Sequence, residues 1–173
     1  MYYKVDIFFR NIHHLSDGRF AAGVWAKWAS FNFDKDSEHY ISPVDASEIM
    51  GWMSGPAIVA EFGPKNSFDN ILEVTKLLKI ENIAIPYSLL SQPLIEHFNE
   101  IIITDKSTNE YHYFKDKIVS NKKTIISPEL NMAGAHEILA SKVQSILIEG
   151  IKEDKPGTAD YESLSLFMEH LDK

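Results

Sequence analysis

Short apolar runs alternate along the chain with stretches whose apolar residues recur every three or four positions. The short runs predict strands at Lys4 to Phe9, Trp28 to Phe33, Ala57 to Phe62, Asn82 to Ile85, Glu100 to Thr104, Thr124 to Ser127 and Val143 to Glu149. Several are apolar at successive positions, as strands covered on both faces require. Helix start signals stand between them. Ser42-Pro43-Val44-Asp45 combines a capping hydroxyl, a proline suited to the first turn and an acid at the third position. Ala46, Ile49, Met50 and Met53 follow as one stripe, closed by Gly55-Pro56. Ser67 opens a second helix with Ile71, Val74 and Leu78 on one face. Ser107 with Glu110 reads as a capping box for a helix carrying Tyr111, Phe114 and Ile118, and Asn131 as the cap of a segment with Ile138 and Leu139. A last helix carries Leu164, Phe167, Met168 and Leu171.

Alternation of this kind predicts an α/β fold with a parallel sheet and crossover helices, either closed as a barrel or open and doubly wound. No Ser/Gly/Pro linker divides the chain, so residues 1–173 are expected to form a single domain. A full eight-unit barrel needs roughly 200 residues or more, and this chain falls short by about one unit.

Composition narrows the function classes. The net charge of -8 disfavours an electrostatic grip on nucleic acid or an anionic membrane. The longest apolar runs, such as Ser145 to Ile148, are strand-sized rather than bilayer-sized. The start of the chain lacks the charged, apolar and small-residue segments of a signal peptide, so a cytoplasmic location is the expectation. With 0 cysteines, disulfides, thiolate metal sites and thiol catalysis are excluded. Phosphate-loop, dinucleotide-fingerprint and nucleophile-elbow motifs are absent, and no cofactor is expected.

Three stretches resemble the phosphoribosylanthranilate isomerase family. Ser30-Phe31-Asn32-Phe33 through His39-Tyr40-Ile41-Ser42-Pro43-Val44-Asp45-Ala46 is similar to its second strand, loop and "YISPEDA" helix start. Ile58-Val59-Ala60-Glu61-Phe62, the Ser67 helix and Ile83-Ala84-Ile85 resemble strands three and four. Leu130-Asn131 through Gly150, on to Lys155-Pro156-Gly157-Thr158-Ala159-Asp160, resembles the last two units with their "PGKKD" turn. The resemblance covers most of the chain from about Ser30 onward. It implies a TIM-barrel-like (β/α) repeat shortened by about one unit, with seven strands that either close or stay open.

The resemblance also implies an aldose-ketose isomerase of tryptophan biosynthesis, which performs an Amadori rearrangement with a cysteine base and an aspartate acid. Arg10 stands at the position of that cysteine, and an arginine stays protonated and cannot act as the base. Asp105 is the counterpart of the acid, or else a loop carboxylate ahead of Ser107. The turns matching the family's phosphate cradle read Ser127-Pro128-Glu129 and Ile148-Glu149-Gly150. Pro128 has no N–H to donate. A carboxylate such as Glu129 about 4 Å from one phosphate charge costs on the order of 4 kcal/mol at an effective dielectric near 20. Ala84-Ile85-Pro86 replaces the family's Gln-Leu-His, and His39 replaces a loop arginine.

These changes predict an isomerase-like pseudoenzyme that has lost the Amadori step and binds a small metabolite at the barrel mouth, with Asn11, Glu61, Glu129, Glu149 and Gly150 as ligand-binding candidates. One alternative is an active isomerase or metal-assisted enzyme using Asp105 and the rim carboxylates Glu61, Glu129 and Glu149. Another is a non-catalytic scaffold whose open sheet edge pairs with a partner or a second copy as a homodimer. Against any rim site stands simple pairing of these carboxylates with Arg10, Lys106 or Lys152. Adjacent His13 and His14 are expected to diverge, no metal site is expected, and Trp25, Trp28 and Trp52 are expected to pack helices against the sheet.

Overall fold

The computed structural model describes residues 5–105, 110–115, 118–126, 132–140, 145–150 and 161–171, with the backbone alone from 105 to 132. The chain runs β1 (Asp6–Arg10), α1 (Leu15–Gly23), β2 (Trp28–Asn32), α2 (Pro43–Met50), β3 (Ala57–Glu61), α3 (Phe68–Leu78) and β4 (Asn82–Ile85). A single 3-10 turn (Tyr87–Leu89) then precedes α4 (Gln92–His97) and β5 (Glu100–Asp105). The remainder is β6 (Glu110–Lys115), β7 (Ile118–Ile126), α5 (Met132–Ala140), β8 (Ser145–Glu149) and α6 (Tyr161–Leu171). The strands form a closed barrel in sequence order, with β8 pairing back onto β1.

The fold class is the expected one, and each of the seven expected strands overlaps a forward strand of the barrel. The eighth, β6, runs antiparallel to both β5 and β7, while all other neighbours are parallel. Residues expected to form a helix after Ser107 therefore give a strand instead, and Ser107 itself lies outside the described residues. Tyr111 and Phe114 fit a helical stripe by spacing, but the run Glu110-Tyr111-His112-Tyr113-Phe114-Lys115 is rich in aromatics suited to a pleated surface. The ladder groups of β5 and β7 decide the matter, because β6 satisfies both. Closure also removes the open edge expected to recruit a partner, since every strand has a neighbour on each side.

Period-two alternation sorts the strand residues between two cores. Ile7, Phe9, Ala29, Phe31, Ala60, Ile83, Ile101, Ile103, Ile146 and Ile148 face outward and share one core with the helices. Phe8, Trp28, Val59, Ala84, Ile102 and Leu147 form a separate cluster inside the barrel, with Phe8 and Trp28 edge to face at 6.3 Å. Trp28 thus fills the barrel rather than packing under a helix. Trp25 and Trp52 are 70% and 71% exposed, so neither packs a helix against the sheet.

Helix starts follow the sequence signals where they are described. Ser42 Oγ accepts from Asp45 N at 3.1 Å ahead of Pro43, and Ser67 Oγ accepts from Asn70 N at 3.2 Å. The Asn131 cap lies outside the described residues. Two residues beyond the inner apolar ring, toward the C-terminal strand ends, the same alternation brings Arg10, Ser30, Glu61, Thr104 and Glu149 to the inward face. That polar layer is the floor of the mouth.

Candidate functional site

Arg10 ends β1 and Glu61 ends β3, and their side chains meet inside the mouth, 6% and 4% exposed. Arg10 Nε donates to Glu61 Oε1 at 2.8 Å and to Oε2 at 2.9 Å, and the Arg10 Nη2 amine closes on Oε1 as well. Ser30 Oγ donates to Glu61 Oε2 at 3.1 Å and accepts from Asn11 N at 3.2 Å. Arg10 Nη1 stands 3.6 Å from Glu149 Oε1, whose side chain is half-exposed. A planar guanidinium matched to both carboxylate oxygens is the strong form of such a pair. Pairing with Arg10 therefore accounts for two of the expected rim carboxylates.

Around this pair the backbone is shaped by Asn11 and Gly150. Asn11 takes a left-handed φ of 56°, which asparagine tolerates better than most residues. Its Oδ1 accepts from Asn32 Nδ2 at 3.3 Å, and Asn32 Oδ1 accepts from Asp34 N at 3.0 Å. Gly150 N donates to the Arg10 carbonyl at 2.6 Å, and a Cβ on Gly150 would stand 2.6 Å from the Asn11 carbonyl. Only glycine fits this approach, and its N–H is already bonded within the protein.

A cavity of about 610 Å³ opens above this floor, lined by Arg10, Asn11, Asn32, Glu61 and Glu149 and, on the β2–α2 loop, by Asp34, Asp36 and His39. It lies at the C-terminal strand ends, where barrels bind ligands. Among its lining residues four carboxylates face one guanidinium. A second hollow of about 550 Å³ lies outside the barrel between this loop and α3. At its edge Lys65 Nζ meets Asp36 Oδ2 at 2.8 Å, and that hydrogen bond and the Asp36 charge raise the Lys65 pKa above the ordinary lysine value. The proton is thus held more tightly in the folded chain, a contribution lost only as pH rises through that raised value.

The sequence candidates come together in part. Arg10, Asn11, Glu61, Glu149 and Gly150 converge at the mouth. Asp105 closes β5 at the same end of the barrel, though its side chain is outside the described residues, as are Glu129, Pro128, Lys106 and Lys152. Two features escaped the sequence reading. Buried Asp17 accepts from His13 N at 3.1 Å, His14 N at 3.3 Å and the Tyr161 hydroxyl at 2.7 Å, tying the loop after β1 to α6. An acid three positions after His14 was the available signal, but histidine is not a usual capping residue. His13 also does not simply diverge from its neighbour; it meets His39 from another loop.

Fold and site together define a closed βα barrel with a polar mouth at the C-terminal strand ends. Solved structures sharing it are phosphoribosylanthranilate isomerases, so the chain has the fold of that family. The enzyme from Thermus thermophilus superposes with a TM-score of 0.73 at 14% identity, covering 97% of this chain and 98% of that one. TrpF from Jonesia denitrificans gives 0.70 at 9% identity over 97% of each chain. Monomers generated from the dimeric enzyme of Thermotoga maritima give 0.65 at 20% identity, covering 97% and 98%. No family model and no curated protein matches the sequence. Among the described residues no helix is long and apolar enough to cross a membrane.

Proposed function

We propose that the chain is a phosphoribosylanthranilate isomerase-like barrel that does not perform the Amadori rearrangement and binds a small metabolite at its mouth. The buried Arg10–Glu61 pair carries this reading. The resemblance sets Arg10 where the family has its proton acceptor, and a guanidinium holds its protons at any physiological pH. Glu61 is no ready replacement, because its oxygens are taken by Arg10 and Ser30. General acid-base groups contribute about 10²–10⁴-fold each, so the loss of the base alone removes most of a useful rate.

The phosphate end supports the same reading. Gly150 N–H is committed to the Arg10 carbonyl, and Pro128 offers no donor. The excess of carboxylates among the described lining residues disfavours an anionic sugar phosphate. A volume of about 610 Å³ nevertheless suits a small molecule, and Asn11 and Asn32 supply polar groups that can orient one.

The test is a turnover assay on pure protein, following loss of the fluorescence of phosphoribosylanthranilate. The expected trace matches the protein-free decay. Turnover at an enzymic rate that Asp105→Asn abolishes would sink the proposal. A panel of metabolites screened by melting temperature tests the binding half: a ligand should raise it in the native chain and not in Asn32→Ala.

A further inference from the structure

Two imidazoles from separate loops converge at the rim of the mouth. His13 follows β1 and His39 lies between β2 and α2, with His13 Nε2 and His39 Nδ1 3.2 Å apart and ring centroids at 5.4 Å. Both loops are fixed from beneath. Asp17 accepts from the amides of His13 and His14 and is held in turn by the Tyr161 hydroxyl. Ser37 Oγ accepts from His39 N at 3.1 Å and from Asn32 Nδ2 at 3.3 Å. The backbone at both histidines is therefore held by the framework.

We propose that His13 Nε2 and His39 Nδ1 bind one divalent transition-metal ion of the nickel, copper and zinc series, with water in the remaining positions. Such ions bond imidazole nitrogen at about 2.0–2.1 Å, so two ligands at octahedral or tetrahedral angles stand roughly 2.9–3.4 Å apart. The observed separation falls inside that interval. Without metal the same nitrogens share a proton as an N–H···N hydrogen bond; when the ion binds, that proton moves to the far nitrogen of the donor ring, so both rings ligate as neutral imidazoles with their N–H on the far side. For His39 that far nitrogen is Nε2, 3.8 Å from the exposed Glu38 carboxylate, which lies beyond hydrogen-bond reach. His39 also lines the mouth cavity, which puts the ion at its rim.

Among the described residues no group of three or more His, Cys, Asp or Glu side chains is placed to hold a metal. The site is accordingly a two-ligand, open one, selective for ions that prefer imidazole over magnesium and calcium, which take oxygen. It does not depend on the isomerase reading, which the Arg10–Glu61 pair carries and in which His39 figures only as the replacement of a loop arginine.

Titration calorimetry on the untagged full chain with nickel, zinc and magnesium chlorides tests it, beside His13→Gln, His39→Gln and the double variant. The expected result is one nickel or zinc ion per chain and no magnesium. Each single change should lower affinity at least about tenfold, the scale that loss of even a supporting residue costs a metal site. Metal-free melting of the variants serves as the folding control, because both rings are only half-buried. A native chain that binds neither ion, or a double variant that binds them as tightly, overturns the proposal.

Discussion

The Arg10–Glu61 pair makes a quantitative prediction in which two disruptive changes cancel. Arg10→Met leaves the Glu61 carboxylate buried with, among the described residues, the Ser30 hydroxyl as its remaining partner. Glu61→Leu removes the bidentate contact of the buried guanidinium, and Glu149 at 3.6 Å, half in solvent, is too distant to replace it. Removing one member of a buried ion pair typically costs about 3–5 kcal/mol, and Arg10→Met should sit at the upper end because it strands the more enclosed charge. In a chain of this size each kcal/mol corresponds to roughly 2–4 °C in Tm, so either single variant should melt roughly 6–20 °C lower. The double variant removes both charges and leaves two apolar side chains above Phe8 and Val59, an exchange that is often neutral or favourable. Urea unfolding of the four proteins, followed by circular dichroism, gives the coupling directly. Single losses that simply add in the double variant, or singles within about 1 kcal/mol of native, would show that the pair is screened by water and is not a coupled buried pair.

Four further changes probe the surrounding framework. Phe8→Ala empties part of the inner cluster and should cost about 3–5 kcal/mol in chemical unfolding. Gly150→Ala drives a Cβ against the Asn11 carbonyl, and a loss of roughly 1–3 kcal/mol is expected in the same experiment. Tyr161→Phe deletes the hydroxyl donated to Asp17, a hydrogen bond to a charged group worth about 1.5–3 kcal/mol, and amide exchange should quicken in α6 and at His13 and His14. Ser67→Ala removes the cap of α3 and should lower stability by about 1 kcal/mol, measured by thermal melting.

The forward strands were legible because both kinds of burial leave a mark on sequence. Phe8, Trp28, Val59, Ala84, Ile102 and Leu147 fill the barrel while their neighbours face the helices, so several of the strands read as short apolar runs. The return strand was not legible. Its residues match a helical stripe about as well as a strand, and only the unpaired ladders on either side distinguish the two. At the site, Arg10 and Glu61 were legible as candidates from the resemblance and from their place at strand ends. Pairing of the rim carboxylates with Arg10 was among the expectations, but which carboxylate takes the bidentate contact was not legible, since it joins positions 51 residues apart. The His13–His39 contact escaped for the same reason: spacing within one loop says nothing of what a second loop brings to it.

Closure through β6 explains how a short chain still makes an eight-strand barrel. A parallel crossover needs a dozen or more residues, whereas an antiparallel neighbour can be reached by a hairpin. Four residues separate β5 from β6 and two separate β6 from β7, so the chain crosses this sector without a helix on either side. The saving has a consequence at the mouth. A forward strand delivers its C-terminal end and the following loop to the ligand face, but β6 runs the other way and contributes its first residue, Glu110, beside Asp105. One whole strand-to-helix loop is thereby withdrawn from the rim, on the side where the resemblance sets the catalytic acid. On the proposed reading, the shortening and the arginine at the base position bear on the same end of the barrel from opposite sides. A barrel altered at both places retains its closure and its pocket, which is what a binding role requires and catalysis does not guarantee.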